Sequence, residues 1–296
     1  MEAAGFEEPL SLDLGAAADL VPTSPAELTP AYAEYLAGLG IRALVTHFPL
    51  ASLSREGADA IRTAVENAGL RIVQAAGYRT NFVDPDESRR LDGINTLGPV
   101  FEMVKRLNAE MFITGCGSLS AAGFYGPARE NYHSETRRRL IDSLRKVARI
   151  AEANGVLVAL ECHHLTTLDT PEHIAQVVEQ VGSPMIRVNF DPVNLLGDLP
   201  SAFASGDAMR RMRELLGEHY VKAAHLKDIV VGDSPLLHLS EASPGTGLLD
   251  IAEFLRTCRM LGEGAAVVIE HMPRDDAVTA IDYLKDEAKA ADIVFR

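Results

Sequence analysis

Short runs rich in Val, Ile, Leu and Ala recur along the chain, and each is followed by a longer stretch with apolar residues at helical spacing. The short runs predict strands over 10–14, 43–47, 71–76, 111–115, 157–161, 187–191, 221–225 and 267–270. The longer stretches predict helices over 25–38, 54–68, 88–107, 134–153, 170–181, 202–216, 250–261 and 276–293. Local signals agree with this division. Thr170-Pro171-Glu172 sets a capping hydroxyl before a proline at a first helical position. Gly40, Gly69 and Gly155 each follow a predicted helix, where a left-handed cap favours glycine. Eight strand–helix units with no linker or composition break predict an α/β fold, a single (β/α)8 TIM barrel spanning residues 1–296 as one domain. A doubly wound open sheet is the competing architecture, but it lacks a glycine-rich phosphate turn. The segment Gly115-Cys116-Gly117-Ser118 matches neither dinucleotide nor P-loop spacing. The longest predicted loops, 115–133 and 229–247, would both lie over the C-terminal face of such a barrel.

Composition narrows the function classes. The 296 residues are 47% hydrophobic, enough for a large core, and no run nears the roughly 18 apolar residues of a membrane span. Asp and Glu outnumber Lys and Arg by 42 to 28, for a net charge of −14. That charge argues against a nucleic-acid partner. The tight basic cluster Arg137–Arg139 falls on a predicted helix and reads as a solvated face. The N-terminus lacks the basic and apolar regions of a secretory signal, and Cys116, Cys162 and Cys258 are far apart. A cytoplasmic protein with reduced thiols is the expectation.

Four predicted strands end in a residue that can ligate a divalent metal: Glu161, Asp191, His225 and Glu270. The intervals of 30, 34 and 45 residues each leave room for a helix and a return to the next parallel strand. Barrel enzymes gather their chemistry at such strand ends. Three carboxylates and one imidazole suit Mn²⁺ first, with Mg²⁺, Co²⁺ or Zn²⁺ as alternatives. Without a cation, carboxylates this close would repel one another and hold their protons more tightly.

Other polar residues fall near these ends. Strand alternation puts His163 on the side of Glu161, and Lys227 on the side of His225. His163 is a candidate for a substrate hydroxyl, with a bond to neighbouring backbone as the alternative. Lys227 is a candidate for a developing oxyanion, or for an ion pair with Glu161 or Glu270. His47, at the end of the second strand, and His238, in the long loop after the seventh, are candidates for a polar substrate. Tyr78, Phe82, Phe124 and Tyr125 are candidates for an apolar pocket wall.

The segments ALECHH around Glu161, NFDPVN around Asp191, AHLKD around His225, PGTGLLDIAEFL from Pro244 and VVIEHM around Glu270 occur in an order and spacing that carry a resemblance. The chain resembles the xylose isomerase-like barrels of the sugar phosphate isomerase/epimerase group over nearly its whole length. The resemblance implies that Glu161, Asp191, His225 and Glu270 bind one metal. It also implies proton transfer through an enediolate of a keto-sugar or related polyol, with Glu161 and Glu270 as general base and acid. Lyases of the same family, dehydratases or C-glycoside-cleaving subunits, share the first step. A non-catalytic binding barrel is a third class. Asn194, a candidate substrate-binding residue, stands where ketose 3-epimerases carry a substrate-binding histidine, and Thr167 where they carry a glutamate. Those departures argue against a standard ketose 3-epimerase. The nuclease branch needs a histidine at the Asn194 position and an Asp-x-His at 236–238, where this chain has Leu-Leu-His. The expected partner is therefore a small sugar or polyol, with a homo-oligomer or a partner subunit left open.

Overall fold

Eight parallel strands close on themselves: β1 (Leu10–Ala16), β2 (Ala43–Thr46), β3 (Arg71–Ala76), β4 (Met111–Thr114), β5 (Leu157–Leu160), β6 (Ile186–Phe190), β7 (Tyr220–Leu226) and β10 (Ala266–Ile269). Each pairs with the next in sequence, and β10 returns to β1 in the register Asp13↔Ala266 to Ala16↔Ile269. The structure is a computed structural model that describes residues 9–296. The connections are helical: α1 (Pro30–Gly38), α2 (Arg55–Asn67), α3 (Glu87–Asn95), α4 (Leu97–Arg106), α5 (Ser134–Asn154), α6 (Pro171–Val181), α7 (Leu199–Phe203), α8 (Ser205–Leu216), α9 (Ile251–Cys258) and α10 (Ala277–Ala290). This is the (β/α)8 barrel that the alternation of short and long apolar segments predicts.

The core has two layers, as strand alternation demands. Inward-facing side chains are small: Ala43, Val45, Val73, Ile113, Ala159, Ala223 and Val268 belong to the cluster filling the barrel. Outward-facing Leu14, Leu44, Phe112, Leu160, Phe190 and Val267 pack beneath the helices in a much larger belt. The barrel wall is tight at Gly15, where a Cβ would lie 2.9 Å from the Val268 side chain. The N-terminal end is closed by charge. Asp13 accepts from Arg71 and Arg296 at 2.9 and 3.1 Å, and Arg71 also pairs with Glu110.

Caps follow the sequence signals. Thr170 Oγ1 accepts from the His173 N–H, and Gly40, Gly69 and Gly155 adopt φ of +90°, +71° and +65°. Element boundaries depart from expectation in four places. The helix expected over 88–107 is two, α3 and α4, meeting at Thr96. Pro99 has no N–H to offer the Asn95 carbonyl, so the ladder breaks there. The helix expected over 25–38 starts only at Pro30, capped by Thr29, after a separate 3₁₀ turn at Pro25–Glu27. The segment 202–216 begins earlier, as α7, and breaks at Ala204.

The fourth departure lies at the C-terminus. The helix expected to reach residue 293 stops at Ala290. Asp292, at φ +53°, turns the chain so that Ile293–Phe295 forms β11 beside β1. Ile293 fits the apolar face of a helix, which hid a strand of three residues. One expected loop also has structure: within 229–247, β8 (Asp228–Val231) and β9 (Leu239–Ala242) pair as an antiparallel hairpin.

Candidate metal centre and active site

Parallel strands with matched register bring their C-terminal ends to one face. Glu161 follows β5 directly, Asp191 follows β6, Glu270 follows β10, and His225 lies one residue before the end of β7. One candidate ligand atom from each lies within 4.8 Å of the others, and all four residues are buried. His225 Nδ1 is 2.9 Å from a Glu270 oxygen and 3.4 Å from a Glu161 oxygen. Neither approach is aligned as a hydrogen bond, so this buried nitrogen has no partner. Its other nitrogen, Nε2, is 2.7 Å from Gln74 Oε1. A buried, unpartnered imidazole nitrogen facing three carboxylates is the donor set a divalent cation requires, and the residues fit one.

Each glutamate divides its two oxygens. One Glu161 oxygen faces His225, while Oε2 accepts from the Tyr125 hydroxyl at 2.6 Å. Glu270 Oε2 faces His225, while Oε1 accepts from Lys227 Nζ at 2.5 Å. Lys227 is fully buried and also donates to Asp191 Oδ2 at 2.7 Å, the oxygen that Asn194 Nδ2 bonds at 2.7 Å. Glu241, on β9, stands 3.8 Å from Lys227 and pairs with His271 Nδ1 at 2.8 Å. His271 holds φ of +55°, a left-handed conformation unusual for histidine, directly after Glu270.

Charge balance sets the protonation pattern. Burial pulls His225 down, but Glu270 and Glu161 overcome it and lift the imidazole to about 10. Burial and the two glutamates push Asp191 up to about 7, against the pull of Lys227. Lys227 is itself raised, because Asp191 and Glu270 outweigh its desolvation. Glu270 is driven well below the carboxylate range by Lys227 and His225 despite its burial. Glu161 is also lowered, with His225 overcoming its burial. Burial and His164 lower His163 to about 4, so it is a neutral ring at pH 7.

An aromatic arc borders the cluster. Tyr78 stacks on His47 at 6.1 Å, Tyr125 lies 6.0 Å from Tyr78, and His163 lies 5.6 Å from Tyr125. Two cavities open beside this arc. One of about 560 Å³ is lined by His163, Asn194, Leu237, Ser240 and Glu241 and is walled on one side by the hairpin. The other, about 430 Å³, has His47, Tyr78, Leu50 and Val100 among its walls.

The other candidate residues divide by position. His163 and His47 each line a cavity. Lys227 is an ion-pair centre, bonded to Glu270 and Asp191 rather than to Glu161. The Asn194 amide is committed to Asp191. His238 is exposed on the hairpin and lines neither cavity. Phe82 is fully buried in the outer core. Sequence reasoning placed Tyr125 among apolar wall residues and missed its bond to Glu161. It missed Gln74 altogether, because a glutamine in an apolar strand carries no spacing signal.

The chain belongs to the xylose isomerase-like TIM barrel family, whose sequence profile matches residues 33–287. No curated protein matches it. Solved structures share the fold at low identity. The 3-keto-D-glucoside 4-epimerase of E. coli is 17% identical, with 93% of this chain and 99% of that one covered and a TM-score of 0.68. D-psicose 3-epimerase with D-tagatose, from Clostridium cellulolyticum H10, is 18% identical, with 95% and 96% covered and a TM-score of 0.67. A xylose isomerase-like TIM barrel protein from Mycobacterium smegmatis, in complex with magnesium, is 17% identical, with 95% and 97% covered and a TM-score of 0.69.

Proposed function

We propose that this barrel is a metal-dependent isomerase or epimerase that moves a proton at the carbon next to the carbonyl of a keto-sugar or related polyol. The observation that carries the reading is the pair of buried glutamates, Glu161 and Glu270, that both approach His225 Nδ1, at 3.4 and 2.9 Å. Glu161, Asp191, His225 and Glu270 would hold one divalent cation, Mn²⁺ or Mg²⁺, which supplies Lewis-acid polarisation of the substrate carbonyl.

The two carboxylates are not equivalent. A neutral phenol holds the outer oxygen of Glu161, whereas an ammonium holds that of Glu270. Glu161 is therefore the better proton acceptor and takes the α-proton first, giving an enediolate of the substrate. Glu270 would return a proton to the opposite face. Lys227 keeps Glu270 and Asp191 in place and offsets the negative charge of the cluster. His163 and the hairpin residues Ser240 and Glu241 line the polar cavity where the remaining hydroxyls would bind. The likeness in fold to a 3-keto-D-glucoside 4-epimerase and a D-psicose 3-epimerase supports this reaction class.

The test is exchange of substrate hydrogen with deuterium in D₂O, followed by NMR over a panel of ketoses and keto-glycosides with Mn²⁺ or Mg²⁺ present. Glu161→Gln and Glu270→Gln are each expected to lower exchange by at least about 10²-fold, the scale of lost general acid–base catalysis. Full exchange in either variant removes that carboxylate from the mechanism. Loss of water with a new enone absorbance would mark a lyase instead.

A further inference from the structure

The barrel interior carries two amides among alanines and valines. Gln74 is fully buried on β3, and Asn189 is 2% exposed on β6. Gln74 Oε1 lies 2.7 Å from His225 Nε2, and Gln74 Nε2 donates to Asn189 Oδ1 at 2.8 Å. Both residues sit where the sheet ladder is irregular. The β2–β3 register slips between Leu44 and Val45, and the β6–β7 register slips between Val188 and Phe190. The first slip has a visible effect on alternation. Val73 faces the barrel interior and Ala75 the outer belt, yet Gln74 between them reaches inward to His225. A bulge turns two successive side chains to one face, and this one re-aims an amide that regular alternation would have sent outward.

We infer that Gln74, held by Asn189, is a positioning residue that fixes the proton of His225 on Nε2 and presents Nδ1 to the cation. A histidine ligand needs one nitrogen bare and the other anchored, and the anchor sets both the tautomer and the ring plane. Of the atoms around Nε2, Gln74 Oε1 is the acceptor within hydrogen-bond distance. The amide orientation follows from its other end, where Gln74 Nε2 has an oxygen to donate to. Asn189 Nδ2 makes no hydrogen bond in return, so donation runs one way along the chain, from His225 Nε2 to Gln74 and from Gln74 to Asn189. An apolar pair of similar volume would fill the same space without a buried polar atom left over.

This inference rests on the metal reading above, and one set of measurements separates the two. Mg²⁺ and Mn²⁺ affinities are measured by calorimetry for wild type, Gln74→Leu, Gln74→Glu and Asn189→Leu. ¹⁵N spectra of the histidine ring are recorded for the Mg²⁺-loaded wild type. Wild type is expected to show His225 protonated at Nε2 and bare at Nδ1. Gln74→Leu should bind either cation about 10- to 100-fold more weakly, the scale for loss of a ligand's anchoring bond. Gln74→Glu keeps an acceptor and should recover most of that affinity. Asn189→Leu should fall between. Equal affinity in wild type and a folded Gln74→Leu, or a ring protonated at Nδ1 in the loaded wild type, overturns the inference and leaves the proposed function standing. A wild type that binds neither cation overturns both. The wild-type spectrum needs no variant, so a Gln74→Leu protein that does not fold leaves the assignment open to refutation.

Discussion

At the scale of single residues, each of the two glutamates of the cluster is divided between two neighbours. Tyr125 is the clearest case, since its hydroxyl is the donor on the outer oxygen of Glu161. A donor bonded to a carboxylate favours the charged form, so its removal raises the carboxylate's pKa. Tyr125→Phe is expected to lower kcat/KM about 5- to 50-fold and to move the acidic limb of its pH profile upward, read from rates between pH 5 and pH 8. An unmoved limb would mean that the hydroxyl does not touch the reacting form of Glu161. The four candidate ligands were legible in the sequence because strand ends are, and strand ends come from the apolar pattern. Tyr125 was legible as a pocket-wall residue but its bond to Glu161 was not, because the loop after β4 has no period from which a direction could be read. Gln74 was hidden for a different reason: regular alternation points it the wrong way, and only the slipped register turns it inward.

At the scale of elements, one carboxylate holds the hairpin in place. Asp228 opens β8 and is 1% exposed. Its oxygens accept the backbone N–H groups of Ile229, Gly245, Gly247 and Leu249 at 2.8 to 3.0 Å. The AHLKD and PGTGLLD segments that drew attention in the sequence thus meet as a carboxylate and the loop it binds. Gly247 lies so close that a Cβ would collide with Asp228. Asp228→Ala would strand two buried and two half-buried donors at once and is expected to destabilise the protein by roughly 3–5 kcal/mol, measured by urea denaturation. A loss under about 1 kcal/mol would show that water replaces the carboxylate freely. Other elements were less readable. β11 is three residues long and mimics the end of a helix, and the break between α3 and α4 hangs on the single missing N–H of Pro99.

For the whole molecule, the buried charge cluster ties stability to pH and to the cation. With His225 lifted from 6.5 to about 10, its charged form stabilises the metal-free fold fully below pH 6.5, and that contribution is lost as pH rises through about 10. Asp191, lifted from 3.8 to about 7, acts in the same direction over a lower window, since the folded state holds its proton more tightly than the unfolded chain does. Thermal melts in chelator are therefore expected to fall between pH 6.5 and pH 10. On the proposed reading a cation would take the place of the His225 proton, so Mg²⁺ affinity should rise by about tenfold per pH unit across the same range. Melts with and without Mg²⁺ should thus diverge as pH rises, and parallel curves would place the cation away from His225. The net charge of −14 adds general repulsion at high pH, but Mg²⁺ at a fixed ionic strength leaves that part unchanged.

The hairpin hung from Asp228 bears on how such a barrel could change its diet. Its two posts, Asp228 and the turn at Gly245–Leu249, are locked to each other, while Leu237, Leu239, Ser240 and Glu241 between them face a cavity. The span from 232 to 238 lies between the posts, whereas His225 and Lys227 lie before the first of them, on and just after β7. On the proposed reading, the loop that faces the polar cavity and the strand ends that would move the proton are separate stretches of chain, so a new substrate would call for a new loop and would leave the four strand ends as they are.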